Sequence, residues 1–301
     1  MKQVLKLSAI ATVLVAVLLL MACAPSEPEL GTEENPIVWA LVPSGETQAI
    51  LAGADEIVEM LEEETELYFE SVVATDYSGV IEALASDPPA AHMAALNTFG
   101  AILAAEREVA EVGLVAVRRG RPFYDGQIVA AADSGIQSLE DLEGRTFARP
   151  DPNSTSGWIV PQIVLAAAGV DPQADVEVLD AGSHPAVISA VYSGSADAGA
   201  SYIDARTAIQ DDNPDVMEEV IVIEEFGPIP NDGIQFSTEM DPEMRETITQ
   251  ALLDIAATEE GAAALDSVYS WNELVVQGDD FYDPFRQILE ASGFSIQDFV
   301  E

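Results

Sequence analysis

Three consecutive hydroxyl residues, Ser154-Thr155-Ser156, lie between a turn-forming Asp151-Pro152-Asn153 and the pair Gly157-Trp158, which opens an apolar run ending at Ala168. A loop of this composition feeding a helix start places hydroxyls beside backbone N–H groups that lack intrahelical acceptors, at the positive end of the helix dipole. The chemistry this suits is the binding of a tetrahedral oxyanion by neutral donors. The same residues also suit an ordinary helix cap, with Asn153, Ser154 or Thr155 in the capping position. Eight residues alone do not separate the two. Nucleophilic and metal chemistry have little to work with. Cys23 is the single cysteine, His92 and His184 are the only histidines, and no lysine follows Lys6. A Ser154/His184 pair can be drawn, but no third group is marked to orient it. Catalysis is therefore the least favoured class, and no metal or cofactor is expected.

The flanks set the compartment. Residues 1–22 read as a processed leader, with Lys2 and Lys6 followed by an apolar stretch, Ile10 to Met21, that is short for a membrane span. The leader closes on Leu20-Met21-Ala22-Cys23, the small-residue-then-cysteine pattern of a bacterial lipoprotein signal. Acylation of Cys23 would tether the mature chain to a membrane, outside the cytoplasm, and leave no thiol for a disulfide. Residues 23–36, acidic and proline-rich, form the expected flexible tether. The whole chain carries a formal charge of −43; loss of two lysines leaves 54 acidic residues against nine arginines, a net −45. Such a surface repels nucleic acid. Any anionic ligand would have to be held by local donors against that field.

Elements that position these residues follow from the hydropathy pattern. Short apolar runs at Ile37–Val42, Leu67–Ala74, Ala91–Leu96, Val112–Val117, Ile128–Ala131, Thr146–Ala148, Val176–Leu179, Ala196–Ala200, Val220–Ile223 and Ile234–Ser237 read as strands. Helical segments fall between many of them, including Thr47–Glu64, Val80–Ala85, Phe99–Glu106, Trp158–Ala168 and Pro185–Tyr192. Gly227 to Gly233 is expected as a rigid connector, and the remainder is mainly helical. The alternation predicts an α/β fold, in which ligands bind at the carboxyl ends of the strands. Turn motifs after Val42, Ala74, Ala148, Leu179 and Ala200 would converge there.

Six segments, in order, resemble the substrate-binding proteins of phosphate, phosphite and phosphonate ABC transporters. They are Val42-Pro43-Ser44, Thr75-Asp76-Tyr77-Ser78-Gly79, Asp133-Ser134-Gly135-Ile136 with Leu139 to Phe147, Asn153-Ser154-Thr155-Ser156-Gly157 with Pro161, Gly182-Ser183-His184, and Ile229-Pro230-Asn231-Asp232. The resemblance covers nearly all of residues 37–260. It implies a two-lobed periplasmic-binding-protein-like fold of type II, with lobe 1 at 37–129 and 235–301 and lobe 2 at 130–234. The strands Ile128–Ala131 and Ile234–Ser237 would be the hinges. It implies a monomer that captures a phosphonate, phosphite or phosphate oxyanion and hands it to an ABC permease with its ATPase. A binding protein for another small ligand, or one serving a membrane sensor, stands as the alternative.

Carried over residue by residue, the resemblance implies ligand contacts from Ser154, Thr155, Ser156, His184 and Tyr77. Asp232 and Asp204 would accept hydrogen bonds from a protonated oxyanion or a ligand amine, and Tyr124 and Ser44 are further candidates. His92 is expected as a packed structural histidine, and Trp39, Trp158 and Trp271 as core. Arg118, Arg119 and Arg121 are expected to pair with surplus carboxylates. The chain departs from the family pattern at Asp87-Pro88-Pro89-Ala90-Ala91-His92, where His92 stands in place of a common acid. It departs again after Asn97-Thr98-Phe99-Gly100, where Ala101 stands in place of a tyrosine. These departures bear on ligand identity more than on ligand class.

Overall fold

A computed structural model describes residues 28–296, so the leader, Cys23 and the first part of the tether lie outside the described residues. The chain begins with β1 (Ile37–Leu41), α1 (Thr47–Thr65), β2 (Phe69–Val73), α2 (Tyr77–Ala85), β3 (Met93–Leu96), α3 (Thr98–Glu106) and β4 (Ala110–Val117). It then crosses to a second lobe: β5 (Phe123–Ala131), β6 (Arg145–Arg149), α4 (Val160–Ala167), β7 (Val176–Asp180), α5 (His184–Tyr192), β8 (Ala198–Tyr202), α6 (Val216–Glu219) and β9 (Val220–Pro230). It returns through β10 (Gly233–Ser237) and ends with α7 (Pro242–Ala256), α8 (Glu259–Tyr269), β11 (Glu273–Val276) and α9 (Asp283–Ala291).

Each lobe is one sheet covered on both faces. The first has strand order β11-β4-β10-β3-β1-β2, the second β7-β6-β8-β5-β9. Parallel pairing of β1 with β2 and β3, and of β6 with β7 and β8, requires helical crossovers between them. Strands buried on both sides read as continuous apolar runs, as β1 (IVWAL) and β3 (MAAL) do. Trp39, Leu41 and Met93 pack with α1, α7 and α8 on one face of the first sheet, while Ala40, Ala94 and Leu96 pack with α2, α3 and α9 on the other. Ile159, Val160 and Ile229 of the second lobe join that latter cluster, so apolar packing as well as polar bonds links the lobes.

The expected hinges are corrected by the topology. Ile128–Ala131 runs inside the second sheet between β8 and β9, and Ile234–Ser237 runs inside the first between β3 and β4. The crossings fall instead at 118–122 and 231–232, where the sheets end. An apolar stretch marks a strand's buried middle, and the Arg/Gly-rich crossing, tightened by an Arg118–Arg121 bridge, carries no such mark. The expected connector from Gly227 is also corrected: β9 continues to Pro230, opposite Phe123. As an edge strand it tolerates prolines, which remove N–H groups the sheet does not use.

Candidate functional site

Four helical segments begin at the carboxyl ends of parallel strands, and their first residues meet between the lobes. Tyr77 opens α2, Thr98 opens α3, Thr155 opens the helical turn Thr155–Ile159 that leads into α4, and His184 opens α5. Each is preceded by a capping residue whose side chain accepts from the third amide of the helix: Asp76 from Gly79, Asn97 from Gly100, Ser154 from Gly157 and Ser183 from Ala186. In three of the four the third residue is glycine, and at Gly100 and Gly157 this lets the cap come close. A Cβ on Gly157 would overlap the Pro150 ring and stand 2.8 Å from Ser154 Oγ, and one on Gly100 would stand 2.6 Å from Asn97 Oδ1. Because Trp158 and Ile159 are the first amides to bond back within the turn, the N–H groups of Thr155 and Ser156 have no intrahelical acceptor. Cap and anion site are thus compatible in one motif.

Hydrogen bonds pin the two lobes together around these starts. The Tyr77 amide donates to Asp151 Oδ2 at 3.2 Å, and the His184 amide to the Ser44 carbonyl at 3.1 Å. Thr155 Oγ1 accepts from the Phe99 amide at 2.9 Å and from Asn97 Nδ2 at 2.8 Å. Asn97 Nδ2 also reaches the Asn153 carbonyl at 2.8 Å, and Asn153 Nδ2 donates to Ser78 Oγ at 2.9 Å. Tyr77, Ser154, Thr155, Ser156 and His184 are each at most 4% exposed.

Inside this enclosure the donors are neutral. The His184 ring lies between two serines, with Nε2 at 3.3 Å from Ser154 Oγ and Nδ1 at 2.8 Å from Ser201 Oγ, and it packs against Tyr202 at 4.9 Å. Burial, with a smaller push from the Arg118 charge, lowers its pKa to about 3. The Tyr77 phenol is held well above its ordinary range by burial first and by Asp151 next, with a Ser154 hydrogen bond opposing. Burial pushes Tyr124 up to about 12, against hydrogen bonds from Ser156 and Thr98. Both phenols therefore keep their protons and can donate. Tyr269 and Tyr282 are already committed, donating to the Val42 and Asn231 carbonyls at 2.6 and 3.0 Å.

Charges around the site are paired. Arg118 grips Asp232 through two parallel bonds of 2.5 and 2.8 Å, and Trp271 Nε1 donates to the same carboxylate at 2.9 Å. Arg119 pairs with Asp204 at 3.5 Å and Arg121 with Asp125 at 3.3 Å. Asp151 is 7% exposed, and burial raises its pKa although the Asn153 and Tyr77 amides donate to it. Among the described residues no group of three or more His, Cys, Asp or Glu is placed to hold a metal ion, and no helix is long and apolar enough to cross a membrane.

A family model described as an ABC transporter, phosphonate, periplasmic substrate-binding protein matches residues 39–282. The chain belongs to this family. A phosphate-import protein, PhnD, of Mycolicibacterium smegmatis is 31% identical over 200 residues, 62% of this chain and 62% of that protein. A phosphonates-binding periplasmic protein of Escherichia coli is 25% identical over 220 residues, 71% of this chain and 64% of that one. The chain thus spans less than two thirds of either relative's length. Among solved structures, a binding protein of an ABC phosphonate transporter from Pseudomonas aeruginosa superposes with TM-score 0.78 at 23% identity, over 85% of this chain and 86% of that one. PhnD1 of Prochlorococcus marinus, solved with methylphosphonate, gives 0.75 at 15% identity, over 85% and 98%. These likenesses carry the fold, the type II two-lobed arrangement.

Within this phosphonate-binding family fold, Tyr77, Ser154, Thr155, Ser156, His184 and Tyr124 come together. Asp232 joins them only as half of an ion pair. Asp204 does not: it sits in a left-handed conformation at φ 64°, its side chain 45% exposed, against Arg119. Ser44 contributes its backbone carbonyl to the lobe contact. His92 accepts from the Val38 amide through Nδ1 at 3.0 Å, and Trp39, Trp158 and Trp271 are buried. Asn97, Thr98, Asp151 and Ser201 were not legible as site residues. The signal for the first two was the spacing of a capping residue three positions before glycine, Asp76–Gly79, Asn97–Gly100 and Ser154–Gly157, each just past a strand.

Proposed function

We propose that this chain is a lipid-anchored solute-binding protein that captures a phosphonate, phosphite or phosphate oxyanion between its lobes and delivers it to an ABC importer outside the cytoplasm. The observation that carries the proposal is the enclosure of neutral donors at converging helix starts: the Ser154, Thr155 and Ser156 hydroxyls, the Tyr77 and Tyr124 phenols and the His184 imidazole. Preorganised donors in a water-excluded site hold an oxyanion strongly at no cost of reorganisation. The Ser154–His184 approach does not make a nucleophile and base. An imidazole with a pKa near 3 is too weak a base to take a serine proton, and its other nitrogen meets a serine instead of an orienting carboxylate. Family membership and the names of the relatives support the same reading.

Calorimetric titration of the purified mature protein, as a monomer, with phosphate, phosphite and methylphosphonate tests it. At least one should bind, and Ser154→Ala with His184→Ala should weaken that binding by at least about 100-fold, the loss of two hydrogen bonds to a charged group. No binding by any of the three, or unchanged affinity in the double variant, refutes the assignment. The Cys23 anchor is tested separately by blocking lipoprotein signal cleavage with globomycin: electrophoretic mobility should shift, and unchanged mobility counts against acylation.

A further inference from the structure

The carboxylates at the site are already engaged by donors of the protein itself. Asp232 lies close enough to the donor cluster to raise both the Tyr77 and Tyr124 pKa values, and Asp151, bonded to the Tyr77 amide, acts more strongly on Tyr77. Both of its oxygens face the Arg118 guanidinium, and Trp271 Nε1 takes a further position on Oδ2. A fork-to-fork pair of this kind uses the carboxylate's charge and fixes its plane. Asp151 accepts from two backbone amides, Tyr77 on Oδ2 and Asn153 on Oδ1. Asp204 is turned out to Arg119. The carbonyls at this end are engaged as well: Val42 by Tyr269, Ser44 by the His184 amide, Pro230 by Thr98 and Asn231 by Tyr282.

Resting on the oxyanion reading above, we infer that the site takes oxyanions with a hydrogen, oxygen or plain alkyl substituent and rejects those carrying a primary amine. An ammonium group enclosed beside the oxyanion would lose its water and meet only carboxylates already held by other donors, Asp232 by Arg118 and Trp271 and Asp151 by two amides, and a buried charge without a partner of its own is strongly disfavoured. It would also approach the Arg118 cation, which already acts on His184, Tyr124 and Tyr202. Arg118 is thus a specificity-determining residue: it cancels Asp232 and so closes the acceptor that an amine would need.

The test uses ligand pairs of equal size that differ only in charge: ethylphosphonate against aminomethylphosphonate, and propylphosphonate against 2-aminoethylphosphonate, titrated into the native protein. Each amine should bind at least about 30-fold more weakly than its alkyl partner, the scale expected for an unpaired buried charge. In Arg118→Met, which leaves Asp232 unpaired, that ratio should move at least about tenfold toward the amine, and Arg118→Met with Asp232→Asn should return it. An amine that binds as tightly as its alkyl partner in the native protein overturns the inference while leaving the oxyanion reading intact. Rejection of both members of both pairs alongside binding of phosphate or phosphite also overturns it, because size would then be the discriminant. Failure of every oxyanion, phosphate and phosphite included, overturns the oxyanion reading and this inference together. The native ratios stand as a test even where the Arg118 variant does not fold.

Discussion

Thr155 joins the two halves of the molecule through one oxygen, and removing that oxygen should open it. Its Oγ1 accepts from the Phe99 amide at 2.9 Å and from Asn97 Nδ2 at 2.8 Å, both in the first lobe, while Thr155 itself is 1% exposed in the second. Accepting two bonds leaves the hydroxyl proton to point away from both donors. Thr155→Val keeps the shape and removes the acceptor. In the closed arrangement each lost bond leaves a buried donor short of a partner, at about 1–3 kcal/mol apiece. In an open arrangement both donors meet water and the cost vanishes. The closed state therefore loses about 2–6 kcal/mol relative to the open one, and ligand affinity falls by about 30-fold at the low end and about 25,000-fold at the high end through that equilibrium. Thr155→Ser restores the oxygen and should bind within about threefold of the native protein. Calorimetry gives the affinities, and small-angle scattering at one sub-saturating ligand concentration gives the radius of gyration, which should stay larger in the valine variant. A valine variant that binds and compacts as the native protein does would refute the latch.

Three further perturbations test the site. His184 has its pKa lowered to about 3 by burial and Arg118, against about 6.5 unfolded, so between those values only the unfolded chain takes up the proton. Its contribution to stability is complete above pH ~6.5 and declines on acidification by up to ~1.4 kcal/mol per pH unit; burial moves His92 the same way and Asp151 oppositely. Urea midpoints at neutral and mildly acid pH should converge in His184→Gln, and an unchanged pH slope would count against a neutral imidazole. Ser201→Ala removes the partner of His184 Nδ1 and should weaken ligand binding about five- to tenfold, one hydrogen bond's worth, with the ring nitrogen resonances showing a mixed tautomer. Retention of a single tautomer would show that Ser201 does not set it. Gly157→Ala drives a methyl into the Pro150 ring and toward Ser154 Oγ, so thermal unfolding should register a loss of about 1–3 kcal/mol; native stability with native affinity would show that the turn has slack.

The strand–helix rhythm was legible because parallel strands buried on both faces leave short apolar runs, and β1, β3 and β6 stand where those runs fall. What failed was anything that depends on where one element stops against another. Ile128–Ala131 is apolar because it lies between β8 and β9, and the actual crossing at 118–122 is polar because it lies between lobes. Glu273–Val276 is too short and too mixed to announce an edge strand. The hydroxyl trio and His184 were readable from local motifs, since each sits in a helix start with its own cap. Asp151, Asn97 and Ser201 were not, because their roles are contacts across the chain, 74, 58 and 17 residues away. The fate of Asp232 was hidden in the same way: a carboxylate's availability depends on its neighbour, and Arg118 is 114 residues distant.

The proposed oxyanion would have to be held by a chain whose charge repels it. None of the nine arginines enters the donor cluster as a free cation. Eight pair with carboxylates, Arg118 among them, and Arg206 donates to the Val220 carbonyl. The positive potential must come from the helix starts at Tyr77, Thr98, Thr155 and His184, each worth about 0.3–1 kcal/mol toward an anion when exposed and up to ~2 when partly buried. Those dipoles are fixed and enclosed, so salt screens them little, whereas the repulsion from the surface of a chain with 54 acidic residues in all acts through solvent and is screened strongly. Raising ionic strength from 0.1 to 1 M shortens the screening length from about 10 to 3 Å. Affinity for the oxyanion should then hold or rise, with a faster association rate, in contrast to a site built on exposed lysines and arginines. Stopped-flow and calorimetric titrations across that range read both quantities. A tenfold or greater fall in affinity, on the order of 1.4 kcal/mol, would mean that screened charges, and not buried dipoles, hold the ligand.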